Sequence, residues 1–208
     1  MASVQDHCIT MEGCASIIHE YLKYSVHSII YQRGIYPSGD FLPEEYNGVP
    51  VMVSRNSKIK SCIDHIMGEV KELIMKRLIF KITVCIITLD KGDIIERWDF
   101  KIKPQYEDER VSTSTKPLSK IQSEIRDVMR QIISTVSFLP CLEERCTFDI
   151  ILHTASNVFE KQPNMYQECL EENEASIEVK NAQTLRLKQF STGLNQVDTE
   201  VIYRKAEP

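Results

Sequence analysis

Apolar residues recur at gaps of three and four in three stretches of this chain, about 13–30, 57–76 and 118–137. That spacing puts them along one side of a helix, with charged residues on the other side. The third stretch has the most regular stripe, and the helix that it predicts is expected to lie across a sheet. Its apolar positions are Leu118, Ile121, Ile125, Val128, Met129, Ile132 and Val136.

After the second helix, the period changes to that of β-strands. Residues 79–89 are rich in Ile, Val and Thr and predict a buried strand, and residues 90–93 predict a hairpin turn. The return strand alternates, so its two sets of side chains are expected on opposite faces of a sheet. Ile94, Trp98, Phe100 and Ile102 form the apolar set, and Arg97, Asp99 and Lys101 form the polar set.

Another strand is predicted at 146–154, followed by a long acidic connection over 155–180. The glutamates of this connection are interpreted as a solvated charge run rather than a metal site. Two further strands, about 184–191 and 196–205, are predicted on either side of Gly193. The order helix, helix, hairpin, helix, strand, connection, hairpin predicts an α+β fold with three main helices packed on a mostly antiparallel sheet.

The remaining segments predict loops within a single domain. Residues 38–50 contain Pro43 and Pro50, and Pro50 removes a strand donor, so this segment is interpreted as a loop with short extended pieces. Residues 103–117 are polar and are expected at the surface. One core can hold a chain of 208 residues, and the domain is expected to span 1–208.

Charge and cysteine usage narrow the class of protein. The formal net charge is −5 at pH 7, which argues against a protein that depends on nucleic-acid phosphate contacts. The seven cysteines have no CxxC spacing, which is typical of free thiols in a reducing compartment. No apolar stretch reaches about 18 residues, and the N-terminal stretch lacks the apolar core of a signal peptide. We therefore expect an intracellular protein without membrane or nucleic-acid partners.

Candidate catalytic residues do not combine into a site. His19 and His27 share one helix without an HExxH pattern, so a zinc site is not expected. Cys146 and His153 lie an odd number of positions apart in one strand and point to opposite faces, which excludes a nucleophile–base pair. The sequence therefore predicts a protein without enzymatic activity or cofactor. A hydrolase that uses Cys141 or Cys146 is the alternative from a different class.

Six segments, taken in order, resemble the HORMA family over about 9–203. They begin with YQRGIYP after the first helix and ERWDF in the return strand, and they continue along the third helix into FLP. The full set is 31–37, 96–100, 121–132, 138–140, 146–150 and 185–192. The resemblance implies a HORMA fold and, within the family, the spindle-checkpoint branch, whose members are adaptors in mitosis.

The resemblance also implies that a core, about 9–154, is followed by a mobile C-terminal safety belt, about 155–208. In an open arrangement the belt covers a sheet edge, and in a closed one a partner peptide adds to that edge as a strand beneath the belt. The implied peptide-binding edge is Cys146, Phe148, Ile150 and Leu152. The implied belt residues are Tyr166, Leu185, Leu187, Phe190, Val197, Val201 and Tyr203. Tyr166 stands where the family's belt usually has a tryptophan.

Arg130, Gln131 and Phe138 match the family's dimerisation surface, where an open copy meets a closed copy. The residues alone predict a polar helix face for the first two and a core position for Phe138. The implied partners are a checkpoint scaffold at kinetochores and the activator subunit of the anaphase-promoting complex, with a location in nucleus and cytoplasm. The alternative is a HORMA adaptor in DNA repair, with a translesion polymerase, or on meiotic chromosome axes.

Overall fold

The computed structural model describes residues 8–106, 111–155 and 177–205 of the chain. The three predicted helices are present in these ranges, and strands precede and follow each of them. The helices are α1 (Met11–Gln32), α2 (Ser57–Met75) and α3 (Leu118–Thr135). The strands are β1 (Ile9–Thr10), β2 (Phe41–Tyr46), β3 (Val49–Ser54), β4 (Ile79–Thr88), β5 (Ile94–Pro104), β6 (Thr113–Ser114), β7 (Cys146–Thr154), β8 (Ala182–Arg186), β9 (Phe190–Ser191) and β10 (Asn195–Arg204).

Polar side chains fix where the first two helices begin. Thr10 Oγ1 accepts a hydrogen bond from Gly13 N at 3.1 Å, and Asn56 Oδ1 accepts one from Lys58 N at 3.0 Å. Each bond satisfies a backbone donor that has no acceptor within its own helix. The third helix begins directly after Pro117, without a side-chain cap.

The main sheet is antiparallel, with the strand order β7-β4-β5-β10-β8 and with β9 beside β10. The predicted hairpin joins β4 to β5 through the turn at 90–93. β10 pairs with β5 from Asn195 opposite Pro104 to Tyr203 opposite Glu96. β10 therefore lies inside the sheet, with β7 at one outer edge and β8 and β9 at the other.

A β-bulge in β5 turns one predicted core residue to the other face of the sheet. Beyond the pair Ile86–Glu96, the register moves by one residue in β4 but by two in β5, so Ile95 is the extra residue. Ile95 packs on the helix-side core, while Ile94 packs near Cys85 on the opposite face. The expectation that Ile94 shares a face with Trp98 is wrong. Strict alternation assumes a regular strand, and the extra residue of a bulge shifts all positions before it to the opposite face.

The helices pack on one face of the main sheet and bury one large core there. Helix α1 is central, since it contacts α2, α3 and β3. Trp98 and Phe100 are buried as predicted, and Tyr21 of α1 meets Phe100 edge-on with ring centroids 5.9 Å apart. Among the residues that the structure describes, none of the helices is long and apolar enough to cross a membrane.

β2 and β3 form a hairpin in the segment that the sequence interpretation assigned to a loop. They pair around Asn47 and Gly48, whose φ angles of 50° and 76° are left-handed. An Asn-Gly pair with positive φ at both residues is a favoured two-residue hairpin turn. Pro50 fits because it lies opposite Glu45 in a two-stranded sheet, where a missing donor is tolerated. The Asn-Gly turn therefore predicts this hairpin better than the two prolines predict a loop.

The predicted C-terminal hairpin is present in a more broken form. The strand expected at 184–191 is split into β8 and β9, and residues 187–189 between them belong to neither. Gly193 lies in the turn between β9 and β10, as expected, with a left-handed φ of 87°. Ordinary side chains rarely adopt this angle, so the turn depends on the glycine.

Candidate partner-binding edge

β7 is an outer strand with one occupied and one open side. It pairs with β4, and within the described ranges no strand pairs with its other edge. Leu89 N donates to Arg145 O at 2.9 Å, so the carbonyl just before β7 points toward β4. Backbone direction alternates along a strand. The backbone N–H and C=O groups that point to the open side therefore belong to Cys146, Phe148, Ile150 and Leu152.

The side chains of these four residues point away from the open edge. Ile150 and Leu152 are buried in the helix-side core, and Cys146 and Phe148 are half-buried against it. Their contribution to a partner strand would come from main-chain hydrogen bonds, which are independent of partner sequence. Their peptide-binding role stays a prediction, and it concerns their backbone.

Asp149 caps one donor of the open edge, a role that the sequence reading did not assign. Its Oδ1 accepts a hydrogen bond from Ile150 N at 2.8 Å, and its side chain is exposed. This bond agrees with the outward direction of Ile150 N, since a donor engaged with β4 would not be available. An edge donor covered by a local carboxylate is protected from indiscriminate strand pairing.

A groove of about 250 Å³ lies between α2 and the open edge of β7. It is lined by apolar side chains from three parts of the chain, together with Lys58, Cys62 and Asp149. The apolar wall residues are Tyr36, Ile59, Ile66, Phe148 and Ile150. Such a groove can receive alternate side chains of a strand laid along β7, because every second side chain would point toward the helices.

The C-terminal strands lie on the far side of the sheet from this edge. Phe190, Val197 and Val201 are buried in the core, and the ring centroids of Phe190 and Tyr21 are 4.7 Å apart. Tyr21 Oη and Thr199 Oγ1 share a hydrogen bond of 2.7 Å. With β10 on β5, the described C-terminal strands leave the edge of β7 clear.

The other predicted belt residues contribute less to the core. Leu185, Leu187 and Tyr203 are half-buried, and Leu185 pairs across strands with Val201. Tyr203 lies opposite Gln183 on β8. Tyr166 lies outside the described residues.

The face of the sheet away from the helices contains a buried polar network. Arg97 NH2 lies 3.1 Å from Asp99 Oδ2, and Thr83 Oγ1 donates to Asp99 Oδ1 at 2.8 Å. Thr83 Oγ1 also contacts His153 Nε2 at 3.0 Å, and Arg97 NH1 donates to Ile177 O at 3.0 Å. Asp99 lies on the face opposite Trp98, as alternation predicted, and it is buried there. The network attaches the chain at 177 to the sheet.

The three residues predicted for dimerisation differ in their surroundings. Phe138 is 73% exposed just beyond α3, so the core position predicted from its hydrophobicity is wrong, and Leu139 is buried instead. Arg130 is exposed. Gln131 is half-buried, and its Oε1 accepts a hydrogen bond from Lys188 N at 2.6 Å. Gln131 therefore also holds part of the C-terminal segment.

Catalytic chemistry gains no support from this geometry. Burial raises the pKa of the Cys146 thiol, and Glu144 adds to the shift, so the reactive thiolate is disfavoured. Cys146 packs toward the helices, while His153 belongs to the network on the other face. In the described portions of the chain, no group of three or more His, Cys, Asp and Glu side chains could hold a metal ion.

Residues 14–195 match the family model described as the HORMA domain. The chain is a HORMA-domain protein. It is 32% identical over 200 residues to the mitotic spindle assembly checkpoint protein MAD2A of Homo sapiens, with 94% of this chain and 93% of that protein covered. To the mitotic spindle checkpoint protein MAD2 of Arabidopsis thaliana it is 30% identical over 207 residues, with 96% and 92% covered. The resemblance to the spindle-checkpoint branch is thus confirmed.

Solved structures support the same fold. A chain in the crystal structure of the mitotic checkpoint complex matches this HORMA domain with a TM-score of 0.81 and 27% identity, covering 93% of this chain and 99% of that one. C. elegans HTP-2 bound to the HIM-3 closure motif matches with a TM-score of 0.73, covering 95% and 92%. At 10% identity, the second likeness concerns the fold alone.

Proposed function

We propose that this HORMA domain is a non-catalytic spindle-checkpoint adaptor that captures a partner peptide as an added strand on β7. The observation that supports this most directly is the open edge of β7, with four residues whose backbone groups point outward beside an apolar groove. Added strands bind through main-chain hydrogen bonds and gain selectivity from pockets for alternate side chains. Both parts are present here, and the relatives named above are spindle-checkpoint proteins.

The proposed partners follow from membership of the checkpoint branch. They are a checkpoint scaffold at kinetochores and the activator subunit of the anaphase-promoting complex, whose capture would delay anaphase. A second copy of this chain is the third partner, and it would use the exposed Arg130 and Phe138 together with Gln131. The protein would act in nucleus and cytoplasm and at kinetochores during mitosis.

The C-terminal strands would lock the captured peptide in place. β10 lies between β5 and β8, and in this position the proposed belt would leave the edge of β7 clear. A belt wrapped over the peptide would slow its release, because escape would then require the belt to move. Two arrangements of one sequence must differ by only a few kcal/mol for such a belt to switch.

Alternate backbone methylation of the ligand tests strand addition. The probes are synthetic peptides from the checkpoint scaffold and the activator subunit, each N-methylated at every second amide in one of two registers. An added strand donates only half of its amides to β7, so one register should lose binding at least about a hundredfold and the other should bind nearly as the parent does. Isothermal titration measures both. Equal losses in the two registers would contradict strand addition.

The same measurement separates the alternative pathways. Peptides from a translesion polymerase and from meiotic axis proteins serve as competitors. If only those bind, the checkpoint assignment of this chain fails while peptide capture stands. Thiol labelling at neutral pH addresses the hydrolase alternative, since a fast-reacting Cys141 or Cys146 would contradict a non-catalytic adaptor.

A further inference from the structure

One face of α3 carries three acceptor side chains that contact residues 187–191, here called the belt loop. Glu124 Oε2 accepts a hydrogen bond from Ser191 N at 3.0 Å, and Gln131 Oε1 accepts one from Lys188 N at 2.6 Å. Lys188 Nζ also donates to Asp127 Oδ2 at 2.9 Å. Both ends of the belt loop are therefore bonded to the same helix.

The spacing of the two main acceptors matches the spacing of the two backbone donors. Glu124 and Gln131 are two helical turns apart, a rise of about 10.5 Å. Lys188 and Ser191 are joined by three residue steps, and an extended chain covers about 10 Å in that length. Helix α3 can thus present one acceptor to each end of the belt loop only while that loop is extended along it.

The two backbone donors find their acceptors on α3 and not on a neighbouring strand. The belt loop follows β8 directly and includes β9, and both strands pair with β10. Leu187 N still donates to Thr199 O of β10 at 2.9 Å, but Lys188 N and Ser191 N turn toward the helix. Ser191 is half-buried, and a half-buried donor without an acceptor is costly, so its bond to Glu124 favours the position of the belt loop on α3. Lys188 is exposed, and its N–H finds an acceptor in Gln131.

Lys116 holds the Glu124 carboxylate in the required orientation. Its Nζ lies 2.8 Å from Oε1 and 2.7 Å from Oε2, and both side chains are largely buried. The ion pair therefore fixes the orientation of the carboxylate while Oε2 also accepts from Ser191 N. Hydrogen bonds to an ionised acceptor are roughly twice as strong as neutral ones.

We propose that Glu124 and Gln131 are positioning residues that hold the belt loop on α3 and so select the arrangement with β10 on β5. The belt loop includes β9 and leads through the Gly193 turn into β10, so fixing it fixes the start of β10. The consequence for peptide capture rests on the proposed function, because it assumes that the clear edge of β7 receives the partner. The attachment of the belt loop to α3 by Glu124 and Gln131, here called the latch, does not itself depend on any ligand.

Amide hydrogen exchange in the full-length protein tests the latch without a peptide. In Glu124→Ala, the amide of Ser191 should exchange about tenfold faster, as expected for the loss of one charge-assisted bond. In Gln131→Ala, the amide of Lys188 should respond in the same way. Glu124→Gln keeps an acceptor oxygen and should stay within about threefold of the parent. Ser123→Ala, an exposed neighbour on the same helix, is the matched control.

The share of molecules in the arrangement with β10 on β5 is the second readout. Contacts of Phe190 with Tyr21 report that share in NMR spectra, and it should fall in Glu124→Ala and Gln131→Ala but persist in Glu124→Gln. If both alanine variants match the parent in the amide exchange of the belt loop and in the fraction of molecules with β10 on β5, the proposed latch is refuted. That conclusion holds whether or not a peptide binds. If the latch responds as stated while no peptide binds the parent, the proposed function fails alone.

Discussion

Arg33 Nε lies 3.0 Å from Glu96 Oε2 in the core, where both side chains are almost fully buried. Glu96 also accepts a hydrogen bond from Trp98 Nε1 at 2.7 Å, and Arg33 NH2 donates to Pro140 O at 2.6 Å. The pair thus connects the end of α1, strand β5 and the segment after α3. Burial raises the pKa of Glu96, and the positive charge of Arg33 opposes that shift.

Removing one partner of this pair should destabilise the fold strongly. Glu96→Gln keeps an acceptor for the Trp98 indole but leaves the Arg33 charge buried without a carboxylate. We expect the free energy of unfolding to fall by about 3 kcal/mol or more. Urea unfolding measures it, with Glu72→Gln of the exposed Lys76–Glu72 pair as the control that should lose less than about 1 kcal/mol. If the two variants lost similar amounts of unfolding free energy, the buried pair would contribute no more to stability than the exposed pair.

Acid should destabilise the protein partly through His27. This residue is buried, its Nδ1 accepts from Ser54 N at 3.4 Å, and burial, with a smaller contribution from Lys23, lowers its pKa to about 4. An unfolded histidine has a pKa of about 6.5, so the unfolded state binds more protons as the pH falls from there toward 4. Stability is therefore full above about pH 6.5 and is lost below it.

The loss assigned to His27 should reach about 3 kcal/mol near pH 4. His27→Asn keeps an acceptor for Ser54 N but does not titrate, so its unfolding free energy should depend less on pH by this amount. Urea titrations of both proteins at several pH values between 4 and 7 measure the difference. Parallel pH profiles would mean that His27 is not held neutral in the folded state.

Displacing Asp149 should be part of partner binding. Asp149→Ala frees Ile150 N on the open edge of β7, so a scaffold peptide should bind about fivefold more tightly, the equivalent of one ordinary hydrogen bond of about 1 kcal/mol. Asp149→Asn keeps the capping oxygen and is the matched control, expected to bind as the parent does. Isothermal titration measures both. Weaker binding in Asp149→Ala would instead indicate that the carboxylate contacts the peptide.

Gly193 should tolerate no side chain. An added Cβ would lie 1.9 Å from Ser114 Oγ, and the residue has a left-handed φ of 87°. Overpacking and the unfavourable angle together should cost Gly193→Ala about 3 kcal/mol in unfolding free energy. Gly68→Ala, in an open position of α2, should stabilise by about 0.5 kcal/mol. Thermal and urea unfolding compare the two, and a neutral Gly193→Ala would refute the close approach to β6.

Phe138 should matter for self-association and little for folding. Phe138→Glu removes an exposed apolar side chain, so its unfolding free energy should stay within about 0.5 kcal/mol of the parent. The dissociation constant of the proposed dimer should rise at least about tenfold, as for a central aromatic contact. Sedimentation velocity measures it. Leu118→Glu, at the exposed start of α3, is the control that should leave association unchanged.

Periodicity predicted the helices and most strands because each of these elements buries one side against a single core. The same reasoning placed Ile94 on the wrong face of the sheet, since Ile95 forms a bulge that the local sequence pattern does not reveal. Alternation placed Asp99 on the face opposite Trp98, but it could not show that this carboxylate is buried. Its burial depends on Thr83 and Arg97, which complete a network on that face.

The candidate site was only partly accessible from the sequence. Alternation along 146–154 separates the two faces of β7, but the open side of that strand follows from the order of the whole sheet. The contacts of Glu124 and Gln131 lie 67 and 57 positions away along the chain. Both residues therefore resemble an ordinary polar helix face until the fold brings the belt loop beside them.

The position of β10 between β5 and β8 gives the proposed belt movement a strong dependence on temperature. Any arrangement in which β10 leaves β5 must first expose Val197, Val201 and Phe190, which are core residues here. Exposing apolar surface carries a positive heat-capacity change, and local unfolding rates rise about three- to sixfold for each 10 °C. The rate of the proposed belt movement should therefore rise steeply with temperature, whereas the affinity of the proposed peptide capture should depend on the β7 edge and its groove.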